Sequence, residues 1–424
     1  MKKYATLVLL CLPMIGFGQS WEKTPFGALG FYETGISVKQ TTDGGYILIV
    51  SLEDSTSTID TYNTWLLKTN SFGDTLWTKI IKDCNTRNGG SVIQTLDGGY
   101  AIASSSGAWT VNPSIKIVKT NSIGDTLWTN QYFNICCENM SSDIIQTLDS
   151  GYVVTGGYYN QKTIKVPEKS FMLKTNFQGD SIWGKIYENT VVSDELLNTV
   201  QQTSDGGYIL NSEHKLIKTN SLGDTLWTKQ YSGTISAVQQ TPNGGYIFGG
   251  VLLSDTIQKR DYWLVKTNSI GDTLWSKSYD KGVNQHEFLT SLDQTTDDGY
   301  ILNGFSVALT GNGFVNLSLW LIKTDSIGDT LWTATLDSSF GTEVYQTVDG
   351  GYIVIGTKHS IGAHLIKFDL NGYISSIYNL PYNTEEVKLI KIVDILGRET
   401  KGDKNMPLFY IYDDGSVEKR IIIE

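Results

Sequence analysis

The residues of this 424-residue chain that could do chemistry are four histidines, four cysteines and an aspartate that recurs. His214, His286, His359 and His364 share no spacing, so they predict no metal site. Cys84 follows Trp77 by seven residues and Cys136 follows Trp128 by eight, which places them in equivalent positions. A Cys84–Cys136 or Cys84–Cys137 disulfide is expected in an exported chain, with one thiol left over. No G-x-S-x-G, H-E-x-x-H, P-loop or D-x-D-x-D-G pattern occurs, so no catalytic residue and no metal ligand is assigned. A glycosidase-type pair of carboxylates comes from distant parts of a chain and has no spacing signature.

The recurrent aspartates Asp43, Asp97, Asp149, Asp205, Asp297 and Asp349 sit in a block that reads Q-T-x-D-G-G-Y in its fullest form. Its tyrosines are Tyr46, Tyr100, Tyr152, Tyr208, Tyr246, Tyr300 and Tyr352, at steps of 54, 52, 56, 38, 54 and 52 residues. A second block, K-T-N-S-x-G-D-T-L-W, begins at Lys68, Lys119, Lys174, Lys218, Lys266 and Lys323, and a decayed copy begins at Lys367. Asp-Gly-Gly and Asn-Ser-x-Gly-Asp are hairpin-turn chemistry, because glycine accepts a positive φ. The aspartates are therefore expected to hydrogen-bond their own turns. Alternating apolar runs flank both turns, so each repeat reads as four antiparallel strands, the unit of a β-propeller blade.

The fourth strands carry Trp77, Trp128, Trp183, Trp227, Trp275 and Trp332, and the seventh copy has Ser376 instead. Trp21-Glu22-Lys23 matches the missing strand. The N-terminal segment is thus expected to lie beside His364 to Lys367 and close the ring, leaving no exposed edge. The fold class is all-β, a seven-bladed propeller over residues 19–380. Blade four is clipped, with a tight turn expected near Ser212 to His214.

Residues 1–18 read as a signal peptide, with Lys2 and Lys3 before an apolar run and Gly16-Phe17-Gly18 before the cleavage point. Cys11 follows Leu10 rather than the small residue that lipidation needs. Beyond it no run approaches the ~20 apolar residues of a membrane span, so no transmembrane anchor is expected. Net charge is −11, and loss of residues 1–18 removes two lysines and no acid. Such an acidic chain argues against nucleic acid as a partner.

From Glu385 on, the periodicity changes. Ile392-Val393-Asp394-Ile395-Leu396-Gly397-Arg398 leads to a strand around Tyr410, then to Lys419-Arg420-Ile421-Ile422-Ile423. This tail resembles the type A sorting domain of the type IX secretion system, found in Bacteroidetes. The resemblance implies a small β-sandwich-like domain over 381–424 and a sorting signal made by Asp394, Leu396, Gly397, Arg398, Tyr410, Lys419 and Arg420. It also implies recognition by the type IX machinery, and release or display outside the cell by way of the periplasm. The D-x-x-G-x-x-x-W spacing at Asp325 to Trp332, and the vicinal Cys136-Cys137, also resemble distantly the tryptophan-docking propellers that bind pyrroloquinoline quinone. Those proteins are longer and need a ligand set absent here, so no cofactor is expected.

Propeller topology puts the two repeated turns of every blade on one face and the variable connections on the other. Binding residues favour variable loops on a rigid scaffold. Trp109, Tyr158 and Tyr159 stand outside the repeat and are the expected ligand contacts. The function expected is that of a monomeric binding module for an extracellular glycan or protein. The alternative is a propeller hydrolase or lyase acting on polysaccharide.

Overall fold

The computed structural model describes residues 20–374, apart from 25–30, 55–61, 83, 87–88, 107–113, 133–137, 160–166, 189–196, 213, 254–258, 283 and 311–312; beyond these it describes 389–393, 398, 400, 407–412 and 417–421. Seven four-stranded antiparallel sheets follow one another along the chain. Blade one is typical: Phe31–Gln40, Tyr46–Asp54, Tyr62–Thr69 and Thr75–Ile81, paired in that order. In blade four the two–three turn is tight as expected, with Ser212 paired to Lys215.

Blade seven takes three strands from its own repeat, Ser339–Gln346, Tyr352–Lys358 and Gly362–Phe368. Its fourth is Trp21–Lys23, with Trp21 opposite Lys367 and Lys23 opposite Leu365. The expected closure is therefore present in the expected register. His364 is buried and its Nε2 lies 2.9 Å from Glu22 Oε1 of the closing strand. Burial drives the His364 pKa down to about 4 even though Glu22 favours the charged form.

The core lies between adjacent blades. Val38, Leu48 and Val50 of blade one pack with Ile353, Ile355 and Leu365 of blade seven, for example. Five of the first strands repeat one register slip, at Gly35/Ser37, Ser141/Asp143, Ile235/Ala237, Leu289/Ser291 and Gly341/Glu343, and blade four slips at Leu197/Val200. A bulge of this kind re-aims side chains. Here it turns the two residues at the slip toward the centre of the ring and the next blade.

The chain divides into two units, 1–375 and 376–424. In the second unit Leu389–Val393, Pro407–Tyr412 and Val417–Ile421 form one three-stranded antiparallel sheet. Among the described residues no helix is long and apolar enough to cross a membrane.

Candidate functional site

The repeated polar residues come first, because the structure shows what they do. In blade one Asp43 Oδ1 accepts from the Gly45 N–H at 3.0 Å and the Thr41 hydroxyl at 2.5 Å, as the turn chemistry predicts. It also accepts from Lys68 Nζ at 3.0 Å, which the sequence did not announce. Lys68 is buried, and the same ion pair recurs as Lys119–Asp97, Lys174–Asp149, Lys218–Asp205, Lys323–Asp297 and Lys367–Asp349. Burial raises the Asp43 pKa, but Thr41, Lys68 and Gly45 outweigh it and bring it to about 2. Blade five has Asn243 instead, and there Lys266 donates to the Tyr300 hydroxyl of blade six at 2.6 Å.

The glutamine before each turn ties blades together. Gln94 Oε1 accepts from the Thr42 N–H of the preceding blade at 2.8 Å, and Gln146, Gln202, Gln240, Gln346 and Gln40 repeat the bond. In blade five the donor position holds Pro242, which has no N–H. Gln294 turns its amide instead onto Gln240 O at 2.9 Å. The fourth-strand tryptophans pack on the next blade, as Trp77 does on Tyr100 with ring centroids 5.8 Å apart. A lysine two residues on reaches the next three–four turn, as Lys79 reaches Asp125 at 2.8 Å. The repeats are thus consumed in building the ring.

What they leave is the central channel, a cavity of about 770 Å3 lined by the first strands. At its lining the blades differ. One and three residues before the repeated glutamine stand Lys39 and Ser37, Gln239 and Ala237, or Tyr345 and Glu343; in blade six Ser291 lines the channel, and Asp293, at the position of Lys39, is not among the lining residues. Lys39 Nζ lies 2.6 Å from Glu343 Oε1, touches the Tyr345 hydroxyl, and stands 3.9 Å from that ring's centroid. Tyr345 donates to Glu343 Oε1 at 2.6 Å, and the Val38 N–H donates to Glu343 Oε2 at 2.7 Å. Asp143 Oδ2 accepts from the Val200 N–H at 3.1 Å, and Asp293 accepts from Gln239 Nε2 and the Gln346 N–H at 3.0 and 2.9 Å.

Three carboxylates thus face one ammonium. Burial lifts Asp143 to about 6 against the pull of Lys39, and burial also raises Asp293. Burial first, then Glu343, Asp143 and Asp293, hold the Tyr345 phenol protonated far above its usual range. The sequence hid this site because each member occupies a repeat position where other blades carry serine, threonine, alanine, isoleucine or glutamine. The clue in the sequence is a charged residue at a position where its sister repeats are neutral. Each carboxylate also accepts a backbone N–H of the following blade: Glu343 and Asp143 make the bond that Ser37 and Thr199 make elsewhere with Val92 and Val238, and Asp293 the one that Gln201 makes with the Gln240 N–H. Among the described residues the channel lining contains no histidine and no cysteine.

The sequence candidates fall apart from this site. Tyr158 and Tyr159 end the second strand of blade three, paired with Lys169 and Pro167, and their side chains lie outside the described residues. Trp109, Cys136, Cys137, Asp394, Leu396 and Gly397 lie outside them altogether. Cys84 is buried with its thiol 2.8 Å from Ser104 Oγ. Arg398 is exposed, and Tyr410, Lys419 and Arg420 sit on the strands of the C-terminal sheet, with Tyr410 paired to Glu418 and Arg420 to Leu408. The histidines stay separate: His214 Nδ1 meets Gly233 O at 2.8 Å in blade four, and His364 serves the ring closure.

No family model and no curated protein matches the chain. Among solved structures it aligns with a protein of unknown function from Bacteroides caccae, at 13% identity, over 72% of this chain and 94% of that one, with a TM-score of 0.41. The WD40 domain of Toxoplasma gondii coronin aligns at 11% identity over 83% and 86%, with a TM-score of 0.48. The WD40 domain of Neurospora crassa Pan2 aligns at 8% identity over 78% and 88%, with a TM-score of 0.50. At such identities a likeness speaks for the fold alone, and the sheet topology states that fold directly: a seven-bladed β-propeller.

Proposed function

We propose that this chain is an exported binding module. Its propeller holds an extracellular glycan or protein, and its C-terminal unit is the address read by the type IX secretion machinery of a Bacteroidetes cell. One observation carries the binding reading: the repeated polar side chains are spent on turns and blade-to-blade ties, so recognition falls to the side chains that differ between blades. The proposal assigns recognition to the channel and to the variable connections, with Trp109, Tyr158 and Tyr159 as the aromatic candidates.

The second reading, a hydrolase or lyase acting on polysaccharide, draws on Asp143, Asp293 and Glu343. A carboxyl held near pH 6 is suited to general acid work. Against it stands the use of all three carboxylates as acceptors for backbone amides.

Glycan-array binding and pull-down from culture medium, run beside turnover assays on the same polysaccharides, separate the two. Binding without turnover, weakened tenfold or more by Tyr158→Ala with Tyr159→Ala, supports the module. Turnover lost in Asp143→Asn supports the enzyme. Deleting Glu385 to Glu424 is expected to leave folded propeller in the periplasm, and normal secretion of that chain would remove the address from the proposal.

A further inference from the structure

The junction of blades five and six holds a cluster that no repeat explains. Asp261 lies on the third strand of blade five, Arg260–Thr267. Asp280 directly follows its fourth strand, Thr273–Tyr279. Glu287 lies on the first strand of blade six, Gln285–Gln294. One carboxylate oxygen from each stands within 4.8 Å of the others. Calcium binds oxygen at about 2.3–2.6 Å, so oxygens this close can all reach one ion.

Acidic clusters are common on protein surfaces, and Glu287 sets this one apart. Its residue is fully buried, at 0% exposure, and among the described residues neither carboxylate oxygen has a well-formed hydrogen bond. A buried carboxylate left this way is costly unless a cation meets it. Burial pushes its pKa up to about 8, and Lys259 and the nearby Lys281 amide ease this only in part. Neither neighbouring ammonium pairs directly with Glu287. Lys259 Nζ is held by Asp280 and lies 3.4 Å from Asp261 Oδ1. Lys281 Nζ donates to the Ser306 and Ser318 hydroxyls at 2.8 and 2.7 Å. Once Glu287 ionises, three carboxylates stand against the Lys259 ammonium, a deficit that one divalent ion would meet.

We propose that Asp261, Asp280 and Glu287 form a binding site for a hard divalent cation of the calcium class, pinning blade five to blade six. An all-oxygen ligand set without histidine or cysteine selects such ions over zinc or copper. Ligands drawn from two strands and a connection suit the irregular, larger shell of calcium better than the strict octahedron of magnesium. The Gly282 N–H donates to Asp280 Oδ1 at 2.7 Å and aims that carboxylate. Lys259 adjoins the 254–258 segment and competes with the ion: its ammonium holds the two outer carboxylates until the metal displaces it.

The test uses the mature full-length chain, stripped with EDTA. It is titrated with Ca2+ by calorimetry and with Tb3+ by luminescence sensitised through Tyr262, the neighbour of Asp261. One ion per chain is expected, with a thermal midpoint that rises with Ca2+ concentration. Glu287→Gln keeps the shape of the side chain and should weaken binding at least tenfold. Asp280→Asn, at an exposed position, should weaken it as well and decides the matter if the Glu287 variant does not fold. Lys259→Met removes the competitor and should tighten binding severalfold. No heat and no luminescence from the unmodified chain would overturn the proposal, as would unchanged affinity in the variant that decides. Weaker binding in Lys259→Met would equally overturn it, because Lys259 would then be the permanent counter-ion of a closed ion-pair network.

Discussion

Trp21 and Tyr46 stand with ring centroids 5.8 Å apart and planes crossed at 69°, although one belongs to blade seven and the other to blade one. Trp227 and Tyr246 repeat the arrangement inside the chain at 5.7 Å and 67°. Gly73, at φ +77°, completes the seat, because a Cβ there would come within 2.5 Å of the Trp21 ring. The closing strand is therefore bound by the same packing as any internal blade. Trp21→Ala should cost about 3–5 kcal/mol, the usual loss for a buried tryptophan, and should match Trp227→Ala in urea unfolding. A cost for Trp21→Ala below about 1 kcal/mol would mean that the ring does not depend on its N-terminal strand.

Blade five offers a repair experiment. Its Asn243 leaves Lys266 without the turn carboxylate that six sister lysines possess, and burial lowers the Lys266 pKa although Asp298 opposes it. Asn243→Asp should draw Lys266 back to its own turn and raise stability by up to about 1 kcal/mol. Asp205→Asn is the reverse change and should cost about 1–3 kcal/mol, because it leaves buried Lys218 without its counter-ion. Paired denaturation curves check both signs.

The repeated ion pairs also set the acid limit of the fold. In Asp97 and Asp205, as in Asp43, burial is outweighed by hydrogen bonds from lysine, threonine and glycine, and the pKa falls to about 2. A pKa depressed in the folded state gives stability that is complete above the unfolded value of about 3.9 and is lost as pH falls through about 2. The propeller should therefore keep this contribution at pH 4 and lose it between pH 4 and 2. Circular dichroism against pH reads the loss. Replacing all three aspartates by asparagine should flatten it.

Asp143 works with the opposite sign. Its pKa is raised to about 6, so the folded state favours the protonated form. Its contribution to stability is present below about 4 and disappears as pH rises through 6. Asp143→Asn keeps an oxygen for the Val200 N–H and removes the charge. The variant should be more stable than the parent at pH 8, on the order of 1 kcal/mol, and equal to it at pH 4. Equal stability at both pH values would place Asp143 in open solvent.

Among the described residues the strands of the C-terminal unit form a sheet of their own. Removing residues 376–424 should leave the unfolding midpoint of the propeller within about 1 °C of the full chain, since a change under about 0.3 kcal/mol moves it no further. A larger drop would make the tail part of the propeller's stability.

The sequence alone determined the blade, the number of blades and the closure by Trp21. Each follows from local rules that recur: glycine at the turns, alternation along the strands, and one tryptophan per fourth strand with its missing copy at the other end of the chain. It could not reveal that Lys68 reaches Asp43, since a strand end and a turn 25 residues apart meet only once the sheet is paired. Nor could it assemble Lys39 with Glu343, 304 residues away, or Glu287 with Asp261 and Asp280. These groups depart from the repeat one residue at a time, and a single departure has no period to read. Only the closed ring, which faces every first strand toward one axis and every blade toward the next, decides which departures meet.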